Sequence, residues 1–162
     1  MLIAIIADTH LPRGKRRLPD SCVAWLTEAD LIVHAGDFST RAVLEALRSY
    51  GEVIAVHGNV DDHDLRTRLS ATAKFDAAGA TIAVVHDAGP RISRLNRLRG
   101  RFPDADAVIF GHSHIPLHER APDGFQIFNP GSPTERRRSP RHTMGLARAS
   151  AGSVSFELVN LD

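Results

Sequence analysis

The chain has 162 residues, with 20 Lys and Arg against 19 Asp and Glu, a formal charge of +1, and a hydrophobic fraction of 43%. This length predicts one domain over residues 1–162 with a sizeable buried core, and the hydrophobic content excludes a disordered or collagen-like chain. The near-zero net charge gives no general attraction to nucleic acid or to a membrane surface.

The single cysteine, Cys22, cannot form an internal disulfide, which is typical of a reducing compartment. No apolar run approaches the ~20 residues of a membrane-spanning helix. The apolar residues 2–7 lack the basic lead-in of a secretion signal. The sequence therefore predicts a cytoplasmic protein without membrane contact.

Apolar runs suited to buried strands lie at residues 2–7, 31–35, 53–56, 81–85 and 107–110. Helical patterns lie between some of these runs: residues 19–28, a helix that begins near Ser39 or Thr40 and stops at Gly51, and residues 91–101. This part of the chain alternates strand and helix, as in α/β domains.

Beyond Pro116 the pattern changes to strands at residues 117–120, 125–129, 142–149 and 153–161. Turns at Asp123-Gly124 and Ala151-Gly152 join them. The last third therefore predicts a meander of mostly antiparallel strands, and the fold class is α/β with an α+β end.

Polar side chains follow each of the five apolar runs, where each strand is expected to end. In chain order they are Asp8, His10, Asp37, Asn59, His86, His112 and His114. Because the carboxyl ends of strands in open α/β sheets face one crevice, we expect these side chains to meet there.

Imidazole, carboxylate and amide groups without thiolate suit Mn, Fe, Zn, Co or Ni better than Ca or an iron–sulfur cluster. Seven such groups exceed what one ion with an open position needs, and they fit two ions that share a carboxylate. Alternate residues of an extended segment point the same way, so Asp8 and His10 should bind from one side, as should His112 and His114. Two dications opposed by two aspartates would leave a positive site, with phosphate the first candidate ligand.

Short motifs surround these side chains. They are Asp8-Thr9-His10, Gly36-Asp37, Gly58-Asn59-Val60-Asp61, His86 and Gly111-His112-Ser113-His114. Together, and in this order, they resemble the motifs of the calcineurin-like metallophosphoesterase superfamily. The later Asn129-Pro130-Gly131-Ser132 is similar to a signature of its small bacterial and archaeal phosphodiesterase branch. Taken alone, that segment could also form a tight turn or a small backbone anion site.

The resemblance implies a four-layer α/β/β/α sandwich with a dinuclear metal site at the C-terminal ends of strands. It assigns Asp8, His10 and His114 to one ion, Asn59, His86 and His112 to the other, and Asp37 to a bridge between them. The implied cofactors are two divalent transition metal ions, with Mn the first candidate and Fe, Zn, Co or Ni the alternatives. A hydroxide between the ions would be the nucleophile, with catalytic roles for Asp37 and Asn59.

The chain departs from the family pattern at Val60, where many members have a histidine that assists the leaving group. Members of the small branch often lack this histidine too. Valine can neither donate nor accept a proton, and a general acid contributes ~10²–10⁴-fold. His63, three residues later, is a candidate replacement, and its alternative is an exposed surface position.

The first expectation is therefore a phosphodiesterase acting on a small phosphate ester. A phosphomonoesterase would need additional cations, which Arg13 or residues 136–138 could supply. A non-catalytic scaffold is the other alternative, because the retromer coat has a subunit of this fold with a degraded site. Nucleic acid is disfavoured as a partner, and exposed sheet edges leave open a homo-oligomer.

Overall fold

The computed structural model describes residues 1–162 and contains ten strands and four helices. In chain order they are β1 (Leu2–Ile6), α1 (Asp20–Glu28), β2 (Leu31–His34), α2 (Arg41–Arg48), β3 (Val53–Ala55), α3 (His63–Arg68), β4 (Thr72–Ala77), β5 (Ala80–Val85), α4 (Arg94–Arg101), β6 (Ala107–Phe110), β7 (Leu117–Arg120), β8 (Gln126–Asn129), β9 (Thr143–Ser150) and β10 (Ser153–Asn160). No helix has the length and apolar character that a membrane span requires.

The strands form two five-stranded mixed sheets. The first has the order β10-β9-β1-β2-β3 and the second the order β4-β5-β6-β8-β7. In the first sheet β1, β2 and β3 are parallel, and in the second β5, β6 and β8 are parallel. Each parallel set sits in the middle or on one side of its sheet, so several strands end at the same edge.

Alternation along the strands builds the layers. Ile3 and Ile5 of β1 point into a core between the two sheets, where they meet residues such as Ile109 and Phe128 of the second sheet. Ala4 and Ile6 point outward and pack under the first three helices. A third core lies between the second sheet and α4. The result is the predicted four-layer α/β/β/α sandwich.

Two elements were not predicted, and one arrangement was wrong. The short helix α3 has too few residues for a clear period. The strand β4 alternates between polar and apolar residues, but two of its three apolar residues are small alanines, which makes the signal weak. The C-terminal strands do not form a simple meander, because β8 pairs in parallel with β6 while β9 crosses to the other sheet and pairs with β1. Pairing with β1 completes the first sheet, which sequence adjacency alone does not reveal.

Candidate metal centre

The first cluster of potential ligands lies where β1 and β6 end. The ligand atoms of Asp8, His10 and His114 all lie within 4.8 Å of one another, and all three residues are buried. His10 Nε2 is 3.1 Å from His114 Nε2, and His114 Nε2 is 3.6 Å from Asp8 Oδ1. Two strands far apart in sequence thus bring three donors to one point.

The second cluster follows β2, β5 and β6. Asp37, His86 and His112 also offer ligand atoms within 4.8 Å of one another. Asn59, after β3, joins them, because its Oδ1 lies 3.1 Å from His86 Nε2 and 3.0 Å from His112 Nδ1. This cluster reaches the surface at His112, which is exposed.

Asp37 connects the two clusters. Its Oδ2 lies 3.7 Å from His10 Nε2 and 3.3 Å from His86 Nε2. Its Oδ1 accepts a hydrogen bond of 2.9 Å from the backbone N–H of Val60, which fixes the orientation of the carboxylate. One carboxylate oxygen therefore faces donors of both groups.

The backbone at these positions is not extended, which corrects the expectation that alternate residues of a strand present the ligands. Five of the seven have φ in the left-handed region, at 56° for Asp8, 45° for His10, 61° for Asp37, 70° for His112 and 59° for His114. Non-glycine residues adopt this conformation at a cost in free energy. Such strained backbone is found mostly at functional sites. Tight turns, not strands, aim these side chains inward.

Asp61 braces the loop that contains Asp37. Its carboxylate accepts three backbone N–H bonds, from Gly58 at 2.7 Å, Asp37 at 3.1 Å and Ser39 at 2.8 Å. The lack of a side chain at Gly58 lets this residue lie close to Asp37, because a β-carbon there would come 2.6 Å from the backbone nitrogen of Asp37. Asp61 is in the Gly-Asn-x-Asp motif, but nothing in the motif indicates that it binds backbone.

The segment that begins at Asn129 forms a turn that acts as a second brace. The Asn129 amide donates to the carbonyl of Gly111 at 2.9 Å, and Asn129 Oδ1 accepts from the Gly131 N–H at 2.8 Å. The Ser132 hydroxyl donates to the carbonyl of Asp8 at 2.8 Å. The segment therefore ties the β6 and β1 ends together.

Backbone carbonyls set the tautomers of two histidines. His86 Nδ1 donates to the carbonyl of Ala35 at 2.7 Å, and His114 Nδ1 donates to the carbonyl of Glu135. In each ring Nε2 is then the nitrogen that faces the cluster, which is the arrangement common among metal-binding histidines.

Burial and charge tune the protonation of the clusters. Burial lowers the pKa of His114 to about 4 and also lowers that of His10, so both are neutral at pH 7. Burial alone would raise the pKa of Asp37, but the hydrogen bond and charge of His86 outweigh it and bring the pKa to about 2. Burial raises the pKa of Asp8 to about 7. Burial disfavours the charged form of His86, but the hydrogen bond and charge of Asp37 outweigh it and raise the pKa of His86. Metal binding needs neutral imidazole and ionised carboxylate, so it would displace the protons that Asp8 and His86 hold.

The residues present fit divalent transition metals. Asp8 Oδ2 is buried and has no hydrogen-bond partner, which is costly for a carboxylate oxygen unless it binds a cation. The donor set of imidazole, carboxylate and amide without thiolate is the set that Mn, Fe, Zn, Co and Ni accept.

Other histidines do not join the clusters. His63 is the exposed first residue of α3, and no hydrogen bond or ion pair connects it to the clustered side chains; its catalytic role stays a prediction. His34 is buried in β2, where it contacts Thr9 and stacks on Phe38, as expected of a structural residue. Val60 is 48% exposed, so its side chain has open space around it.

Sequence reasoning missed Glu135 and Arg16. Glu135 Oε2 lies 3.7 Å from His10 Nε2 and 3.3 Å from Arg16 Nη1, so an ion pair borders the first cluster. The polar, arginine-rich stretch around residue 135 indicates a loop in sequence, and only the fold brings it to the site. Arg13 makes no ion pair, and Arg136 donates to the carbonyl of Pro140.

Residues 1–152 match the family model of the calcineurin-like phosphoesterase superfamily domain. The chain belongs to this superfamily. The resemblance predicted from the strand-end motifs is thereby confirmed, and with it membership of a family of hydrolases that use divalent metals.

Two curated archaeal proteins are similar over most of their length. A probable metallophosphoesterase of Methanocaldococcus jannaschii is 34% identical over 150 residues, covering 91% of this chain and 76% of the relative. A probable metallophosphoesterase of Methanothermobacter thermautotrophicus is 32% identical over 165 residues, covering 98% of this chain and 92% of the relative.

Among solved structures, wild-type Vps29 of Entamoeba histolytica complexed with zinc superposes with a TM-score of 0.78. The two sequences are 22% identical, and the match covers 100% of each chain. This likeness establishes the shared fold.

Proposed function

We propose that the protein is a dinuclear-metal-dependent phosphodiesterase. The observation that carries the proposal is the position of Asp37 Oδ2, 3.7 Å from His10 Nε2 in one cluster and 3.3 Å from His86 Nε2 in the other. A shared carboxylate between two groups of donors is the arrangement that two neighbouring ions need.

In this proposal Asp8, His10 and His114 bind one ion, Asn59, His86 and His112 bind the second, and Asp37 binds both. Mn is the first candidate, with Fe, Zn, Co and Ni as alternatives. Bound divalent ions would supply an activated water and electrostatic stabilisation of the phosphoryl oxygens. The chain contributes two carboxylates and otherwise neutral donors, so the loaded site would be positive and would attract an anionic ester.

Two cavities near the clusters offer room for the two organic groups of a diester. A cavity of about 290 Å³ is lined by His112, and a separate cavity of about 320 Å³ is lined by its neighbour Ser113 together with Arg137 and Arg138. A phosphodiester has an organic group on each of two ester oxygens, and two cavities can accommodate them. Arg137 and Arg138 would also suit the second negative charge of a monoester.

The leaving group has no histidine at position 60 to protonate it, since that residue is Val60. We therefore expect the fastest turnover with leaving groups that are stable as anions, such as nitrophenolate. His63 is the candidate substitute. Unchanged turnover of an alkyl diester by His63→Ala would remove it from the mechanism.

The test is hydrolysis of bis(p-nitrophenyl) phosphate and p-nitrophenyl phosphate, measured side by side on metal-stripped protein resupplied with Mn²⁺. We expect metal-dependent turnover that favours the diester. Asp37→Ala should abolish both turnover and metal binding measured by calorimetry, whereas the exposed Asp104→Ala should change neither. Preference for the monoester would contradict the diester proposal and direct attention to Arg137 and Arg138.

The likeness to Vps29 supports a second candidate, a non-catalytic scaffold. All seven positions of this chain have competent ligands, which favours the enzyme. Two bound ions without turnover of either ester would favour the scaffold.

The buried, unpaired Cys22 supports a reducing, cytoplasmic location.

A further inference from the structure

A cavity of about 290 Å³ opens beside the second cluster. The proposed ligands Asn59, His86 and His112 line part of it. Arg66, on α3, and Arg101, the last residue of α4, also line it. Two guanidinium groups and one half of the candidate metal centre therefore share the same space.

Neighbouring arginines on the same helices are neutralised by carboxylates. Arg68 Nε donates to Asp64 Oδ1 at 2.8 Å on α3, and Arg99 Nη2 lies 2.6 Å from Asp123 Oδ2 next to α4.

Arg66 and Arg101 have no such partner. Neither forms an ion pair with any carboxylate of the chain. Both side chains are exposed. The Arg101 guanidinium lies over the Phe102 ring, 5.2 Å from its centre, a contact with the guanidinium face that leaves the N–H groups at its edge available to a ligand.

The remaining side chains that line the cavity carry little negative charge. The only acidic side chain outside the metal ligands is Asp87, and its Oδ1 already accepts a hydrogen bond of 2.7 Å from the Gly89 N–H. Ala71 and Val85 are the aliphatic side chains of the lining, and His57 adds an imidazole. Two positive charges thus face one partly engaged negative charge.

We propose that Arg66 and Arg101 form a subsite for a second phosphate group of the substrate, separate from the phosphoryl group that is cleaved. Guanidinium groups bind phosphate through paired, planar hydrogen bonds, which makes arginine the residue suited to this role. The inference rests on the proposed phosphodiesterase function and narrows its substrate to phosphodiesters with a further phosphate on one organic group.

Two chromogenic substrates that differ only in this group provide the test. One is the p-nitrophenyl ester of thymidine 5′-phosphate, and the other is the same ester with an added 3′-phosphate. We expect kcat/KM to be about tenfold higher for the phosphorylated substrate, mainly through a lower KM, as one charged hydrogen-bonded contact would give. R66A and R101A should each remove most of this preference. R68A and R99A, which remove a paired arginine from the same helices, should keep it.

Equal kcat/KM values for the two substrates would overturn the proposal. A preference for the 3′-phosphorylated substrate that survives in R66A and R101A would also overturn it. The same holds if these variants lose activity only toward p-nitrophenyl phosphate, the monoester of the earlier assay.

If the wild-type protein hydrolyses neither ester, the phosphodiesterase proposal fails and the subsite is judged by binding alone. Calorimetry on the metal-loaded protein would then compare thymidine 3′,5′-bisphosphate with thymidine 5′-phosphate. Binding of the bisphosphate about tenfold tighter, and dependent on both arginines, would support the subsite. Equal affinities would overturn it.

Discussion

The side-chain hydroxyl of Ser132 donates a hydrogen bond of 2.8 Å to the backbone carbonyl of Asp8, although 124 residues separate the two. The same oxygen accepts the backbone N–H groups of Thr134 at 3.2 Å and Glu135 at 2.9 Å. One buried hydroxyl therefore joins the turn that contains Asp8 to the loop that contains Glu135. Both segments border the first cluster, so the hydrogen bonds of this oxygen help to fix the distance between Asp8 and Glu135 there.

Replacing Ser132 by alanine should lower the free energy of unfolding by about 1–3 kcal/mol, because the buried Asp8 carbonyl and the partly buried N–H groups of Thr134 and Glu135 lose their shared partner. It should also weaken metal binding at the first cluster, since Asp8 is no longer restrained. Thermal unfolding and metal titration check these two effects. Ser153→Ala, which removes an exposed hydroxyl bound to the Ser150 carbonyl, should change stability by less than about 0.5 kcal/mol.

Asp61→Asn should destabilise the protein by about 2 kcal/mol and reduce metal affinity, because an amide presents N–H groups where backbone donors need an acceptor. The neighbouring Asp62→Asn is the matched control. Asp62 caps α3 by accepting the Leu65 N–H, and asparagine caps helices about as well. Equal unfolding midpoints for the two variants would contradict the bracing role of Asp61.

Gly58→Ala should disrupt the centre without removing any ligand. The added β-carbon would overlap the Asp37 carboxylate and come 2.6 Å from its backbone nitrogen, so the loop must shift. We expect loss of metal binding at the second cluster and lower stability. Gly100→Ala, in α4 with open space at that position, should instead stabilise the protein by about 0.5–1 kcal/mol. Native metal affinity in Gly58→Ala would rule out the close approach.

His34 should make stability depend on pH. Its complete burial holds its pKa well below the usual 6.5, so below that pH the unfolded chain binds a proton that the folded chain excludes. Stability is therefore lost as the pH falls from about 7 to 5, by at most about 1.4 kcal/mol per pH unit for this group. Denaturant unfolding of the wild-type protein and of His34→Gln across this pH range isolates the effect. The difference between their free energies of unfolding should shift in favour of the variant as the pH falls. A difference independent of pH would exclude His34 as its source.

Val60→His should restore a proton donor at the position where many family members have one. The Val60 side chain is 48% exposed, so histidine can be accommodated without repacking. We expect the hydrolysis of a dialkyl phosphate, whose leaving group is an alkoxide, to accelerate at least about tenfold. The rate of bis(p-nitrophenyl) phosphate hydrolysis should change little. Val60→Gln, which lacks a titrating group, is the control. Equal acceleration of both substrates by Val60→His would argue against proton donation.

Much of the fold was predictable because its central strands are buried on both faces. β1, β2 and β6 are continuous apolar runs, and the structure gives them the predicted positions to within about one residue at their ends. By contrast, α3 has six residues and produces no strong period. β4 does alternate, but two of the three residues on its inner face, Ala73 and Ala77, are small, so the hydrophobic signal is weak. The pairing of β9 with β1 depends on a contact between the two ends of the chain.

The sequence by itself determined the chemistry of the site: which side chains follow the strands, that none is a thiolate, and that residue 60 is a valine, which cannot donate a proton. Those facts are local, because side-chain type and strand endings are written in neighbouring residues. The tertiary structure alone decided that tight turns aim the ligands, that Asp61 and Ser132 brace them, and that Arg66 and Arg101 share a cavity with them. These relationships join segments up to 124 residues apart, and only packing of the two sheets brings such segments within hydrogen-bonding distance.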